Sequence, residues 1–160
     1  MRAQVDAGLE LVEDPLVPWL GREAMLDAVA SGNAVRLVVD AWRRTDAVAA
    51  RVADPDHAIP TVAAAITGPF TLAGGMSPVG DALSAATRLN EVLVALAKAG
   101  CSMVVVDEPA AVEIGGDADA RRRFRDAHAA LLGEVPPLHA MLAITGGSAW
   151  EAGAETILDA

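Results

Sequence analysis

Val104-Val105-Val106-Asp107-Glu108-Pro109 is a hydrophobic run that stops abruptly at two carboxylates and a proline. Three consecutive β-branched residues suit a strand buried on both faces, the condition of a parallel sheet. Proline lacks the backbone N–H that a ladder needs, so the strand ends there. Asp107 and Glu108 therefore fall at the carboxyl end of a strand, the edge where barrels and open α/β sheets gather their chemistry.

On either side of that run the chain alternates strand-like and helix-like stretches. Upstream, Thr61 to Ile66 reads as a buried strand running into Thr67-Gly68-Pro69. Asp81 is placed to cap a helix that continues to Ala99, with Gly100 as its stop. Downstream, Asp117 opens a helix to about Leu132 that Gly133 closes, and Leu138 to Ile144 forms a further strand after Pro136-Pro137. Ser148 and Glu151 have the spacing of a capping box for a final helix. Before Pro60 the pattern is less regular. Leu9 to Val12 suggests a short strand, Glu23 to Ser31 and Arg43 to Ala53 suggest helices, and Val35 to Val39 fits either state. From residue 61 onward the reading is β–α–β–α–β–α, an α/β parallel sheet with right-handed crossovers.

Composition narrows the function classes. The chain has 160 residues, of which 53% are hydrophobic, enough for one domain with a substantial core. No apolar run reaches the length of a bilayer span and no secretory leader pattern opens the chain, so neither a membrane partner nor secretion is expected. One cysteine, Cys101, leaves no internal disulfide framework and fits a cytoplasmic location. A net charge of −10 and 3% aromatic residues argue against nucleic acid, which asks for clustered cations and stacking platforms. The basic cluster Arg121-Arg122-Arg123 with Arg125 lies next to Asp117, Asp119 and Asp126 and reads as a solvated helix face.

Several segments, in order, resemble a known superfamily. Ile66-Thr67-Gly68-Pro69-Phe70-Thr71-Leu72 is similar to the "GPxT" strand end shared by uroporphyrinogen decarboxylases and cobalamin-independent methionine synthases. The stretch Ala99-Gly100-Cys101 through Val106-Asp107-Glu108-Pro109-Ala110 resembles the "AG…IQIDEPA" segment of the methionine synthase branch. Leu138-His139-Ala140-Met141 falls where that branch carries a His-x-Cys zinc motif, and Gly8 to Val12 resembles the strand that precedes these motifs. The fold this implies is a (β/α)8 TIM barrel. Such barrels need about 200 to 250 residues or more, so the expectation is a partial barrel of about four parallel strands, a fragment or degenerate copy of the family domain. Unpaired sheet edges would favour homo-oligomers.

The resemblance implies methyl transfer from methyltetrahydrofolate to homocysteine or a similar thiol, with a pterin as the other small-molecule partner. Asp107 matches the family Asp that contacts the homocysteine amino group, Glu108 adjoins it as a second catalytic candidate, and Thr67 is a substrate-binding candidate at the neighbouring strand end. His139 matches the first zinc ligand. Met141, however, stands in place of the ligand Cys, and a thioether is a poor donor to Zn²⁺. Leu16 aligns with a family Glu that also contacts homocysteine, a second departure. Two alternatives remain open: a uroporphyrinogen-decarboxylase-like lyase, which needs no metal, and a non-catalytic small-molecule-binding or assembly domain. His57 and His128 read as surface residues.

Overall fold

A computed structural model describes residues 11–13, 16–52, 60–74, 81–148, 150, 151 and 153, the side chains of residues 11–13 and 16–21 excepted. Gly8 to Glu10, Pro15, His57, Gly75 and Met76 lie outside that description.

The elements run β1 (Leu11–Glu13), α1 (Leu16–Ala30), α2 (Ala34–Val52), β2 (Thr61–Thr67), the short α3 (Pro69–Ala73), α4 (Ala82–Ala99), β3 (Met103–Asp107), a 3-10 turn (Pro109–Glu113), α5 (Ala118–Leu132) and β4 (His139–Ala143). The ambiguous Val35 to Val39 is helical. Ala34, Val38, Ala41, Trp42, Thr45 and Ala49 recur at helical spacing and are buried, so the 3.6-residue period decides the state there. Trp42 Nε1 donates to Val62 O at 2.9 Å, fastening α2 to β2. Helix α4 begins where Asp81 accepts from Ser84 N–H and ends where Gly100, at φ 99°, turns left-handed, a conformation that costs glycine little.

The strands pair in parallel in the order β1-β2-β3-β4. β2, β3 and β4 form the continuous part, with Thr67 beside Asp107 and Asp107 beside Ala143. β1 adds a three-residue pairing to β2. The expected partial (β/α)8 barrel is corrected by this arrangement: the sheet is small and open, with β1 and β4 as its edges. The physical reason is that a βα repeat with parallel strands serves open and closed sheets alike. Closure needs every strand paired on both sides with a consistent shear, and the local sequence pattern carries no record of shear.

Strand alternation separates the two faces. Val62, Ala64, Ile66, Val104 and Val106 join residues from all five helices in the main core. Ala63, Ala65 and Val105 point to the other face and form a separate small cluster with Met103 and Ala143. A third cluster, Ala111, Ile114, Ala120 and Phe124 with Phe70 and Ile144, closes the corner beyond the carboxyl ends of the strands. Burial of this apolar surface is the main favourable term in folding. Among the described residues no helix is long and apolar enough to cross a membrane.

Candidate functional site

Asp107 and Glu108 are adjacent in sequence and face opposite ways. Alternation along β3 sends Asp107 to the side of Val105, away from the helices, while Glu108 turns toward α3 and α5. Asp107 is partly exposed at the rim, and its Oδ1 accepts from Thr145 Oγ1 at 2.9 Å. Thr67, likewise partly exposed, is its direct neighbour across the β2–β3 pair. Thr145 begins the Gly146-Gly147 loop, which ends in a formed capping box: Ser148 N–H donates to Glu151 Oε2 and Glu151 N–H donates to Ser148 Oγ, both at 3.1 Å. The helix expected beyond it lies outside the described residues. Thr67, Asp107 and Thr145 thus assemble a polar rim at the carboxyl edge.

Glu108 is fully buried. Its Oε1 accepts from Phe70 N–H at 2.9 Å and its Oε2 from Thr71 N–H at 2.7 Å. These are free amides in the first turn of α3, whose N-cap, Gly68, has no side chain to offer. Glu108 therefore caps α3 from another strand. Thr71 Oγ1 in return accepts from Ala110 N–H at 3.1 Å. A Cβ built on Gly68 would lie 2.3 Å from Glu108 Cδ, so the glycine of the Gly68-Pro69 pair is what admits the carboxylate. The "GPxT" and "DEPA" segments are two halves of one hydrogen-bonded corner. Burial raises the Glu108 carboxyl to about 7; the bonds from Thr71 and Phe70 oppose this and the nearby Asp107 charge adds to it.

His128 contradicts its reading as a surface residue. Its side chain is 12% exposed, its ring stacks on Phe124 with centroids 4.1 Å apart, and its Nε2 lies 3.5 Å from Glu108 Oε1. The signal for it was its helical spacing from Phe124, which puts both rings on the inward stripe of α5. Thr71 belongs to the quoted "GPxT" segment and Thr145 opens the loop before Ser148, but their partners were not legible; both bond across strand ends, which spacing alone does not reveal.

His139 is not part of this rim. It opens β4, pairs with Met103 at the amino end of the sheet, and is exposed. Four residues of strand separate its level from that of Asp107, about 13 Å at the usual rise. Met141, on the same face two residues on, is also exposed. Among the described residues no group of three or more His, Cys, Asp or Glu side chains comes together as metal ligands. An imidazole and a thioether far from the rim carboxylates do not fit a zinc centre. Cys101 is likewise at the amino end, buried, with its Sγ on Met103 O at 3.0 Å and its thiol pushed up by burial. Of the basic cluster, Arg121 donates twice to Gly115 O, and Arg122 pairs with Asp119 on the solvent side of α5.

No family model, no curated protein and no solved structure matches this chain.

Proposed function

We propose that the carboxyl edge of the sheet binds a small, amine-bearing thiol of the homocysteine class, as the substrate-holding part of a methyl transfer of the methionine synthase type with methyltetrahydrofolate as donor. The observation that carries this reading is Asp107: a rim carboxylate held by one hydroxyl, Thr145, beside Thr67 on the next strand. A carboxylate so placed suits an ammonium group, because charge-assisted hydrogen bonds are the stronger kind. Ligands of open α/β sheets bind outside the carboxyl ends of the strands. The resemblance of the Asp107-Glu108-Pro109-Ala110 segment to the methionine synthase branch supports the same ligand class. Glu108 belongs to the scaffold under this rim rather than to the reacting groups, since its carboxylate is buried and occupied by α3. The lyase alternative asks for arginines to hold propionates, and Arg121, at the start of α5, spends its guanidinium on Gly115 O.

The test is calorimetric titration of L-homocysteine against 4-mercaptobutanoate, which keeps the thiol and carboxylate and lacks the amine. One charge-assisted bond is worth about tenfold or more in affinity, so the amine-bearing ligand should bind at least that much more tightly. Asp107→Asn should erase the difference. Equal affinity for the two ligands in the wild-type chain would refute the reading.

A further inference from the structure

His128 Nε2 is buried and has no hydrogen-bond partner, an anomaly that calls for a cause. The other ring nitrogen fixes the tautomer. Nδ1 lies 2.9 Å from Phe124 O, and a carbonyl only accepts, so Nδ1 carries the proton. In the neutral ring Nε2 is then a bare acceptor. Opposite it, 3.5 Å away, stands Glu108 Oε1, which as a carboxylate is a second acceptor. Two acceptors facing each other 3.5 Å apart in a buried site is an unfavourable arrangement, and one proton between them resolves it.

We propose that Glu108 and His128 are a proton latch, in which a single shared proton ties the end of β3 to α5 and its loss sets two acceptors against each other and loosens that tie. The latch is independent of whatever ligand the rim takes.

The surroundings favour the neutral form of the pair, a protonated Glu108 donating to His128 Nε2. Burial raises the carboxyl and lowers the imidazole, so neither group takes its charge readily. From β3 the neighbouring charge is that of Asp107, which further disfavours a second carboxylate. Helix α3 brings no titratable residue, only the Phe70 and Thr71 amides. The 3-10 turn contributes the Ala110 amide to Thr71, and its one acid, Glu113, does not bond Glu108. From α5 the group that faces Glu108 is His128 itself, wedged by Phe124, whose edge meets Phe70. The Phe70–Phe124–His128 stack holds the two acceptors in place, so the latch sits between two helices that both border the rim.

The experiment is a titration of the whole chain from pH 5 to 8.5 by NMR, with ¹³C in the Glu side-chain carboxyls and ¹⁵N in the His rings. The Glu108 carboxyl should titrate with a midpoint near 7. Above pH 6.5 His128 should remain the Nδ1–H tautomer, with its Nε2 signal shifting at the Glu108 midpoint as its donor is lost. Glu108→Gln does not titrate in this range and should remove the step from the His128 signal. If that variant folds poorly, the wild-type titration still decides. Titration of Glu108 near the ordinary carboxylate value, an Nε2–H tautomer above pH 6.5, or an Nε2 signal that does not shift at the Glu108 midpoint would each overturn the latch.

Discussion

The two ends of the sheet are built differently. At the carboxyl end, backbone and side chains cross from strand to strand: Gly68 N–H donates to Asp107 O, Glu108 N–H to Ala143 O, Ala110 N–H to Thr71 Oγ1, and Thr145 Oγ1 to Asp107. At the amino end His139 N–H donates to Ser102 O across the strands, and the His139 side chain stands in solvent. The contrast shows why polar residues of similar type carry different weight. A group at the carboxyl end is positioned by three strand ends at once, whereas the His139 side chain at the amino end is exposed.

The sharpest way to break this contrast is to fill the gap that admits Glu108. Gly68→Ala forces the buried carboxylate off its two amides and overpacks the corner, at a cost of about 3 kcal/mol or more, measured by urea denaturation. Glu108→Ala leaves the Phe70 and Thr71 amides without their acceptor and opens a cavity, for a loss of about 2–3 kcal/mol. A stability unchanged within about 0.5 kcal/mol in either variant would remove the interlock.

A pH comparison sharpens it further. Glu108 holds its proton in the fold up to about 7, whereas its unfolded value is 4.5. Its stabilisation is therefore complete below 4.5 and is lost as pH rises through about 7. His128 has the opposite sign: its imidazole is pushed below 6.5, so its contribution is present above that value and is lost on acidification. Between 4.5 and 6.5 the two slopes oppose each other, because unfolding moves a proton from the carboxyl to the ring. Between pH 6 and 8 the Glu108 contribution falls by about 1.4 kcal/mol. The stability of Glu108→Gln relative to wild type should therefore rise by about that amount over this interval. Parallel pH profiles would count against the buried carboxyl.

Much of the framework was legible because its elements carry strong local signals. The β-branched run 104–106, the cap at Asp81 and the stop at Gly100 are each fixed within a few residues, and the structure has them in place. The role of Glu108 was not legible, because it depends on two amides 37 and 38 residues away. Its juxtaposition with Asp107 in sequence suggested a shared role; alternation on a strand divides them. A partial barrel was expected where the sheet is small and open, because the strands' local pattern is the same in both. The resemblance at Leu138 to Met141 put His139 near the chemistry, but β4 begins at His139, so the residue at the level of Asp107 is Ala143.

The smallest effects belong to the surface residues at the two ends. Asp107→Asn and His139→Ala should each change stability by about 0.5 kcal/mol or less, since neither is buried. Their difference lies in binding. The most direct test is an amide chemical-shift map of the whole chain titrated with L-homocysteine, run in parallel for Asp107→Asn and His139→Ala. The wild-type shifts should cluster at Thr67, Gly68, Asp107 and Ile144 to Ser148, vanish in Asp107→Asn and persist in His139→Ala. Shifts centred on Ser102, Met103 and Leu138 to Ala140, or surviving in Asp107→Asn, would contradict a binding rim at the carboxyl edge.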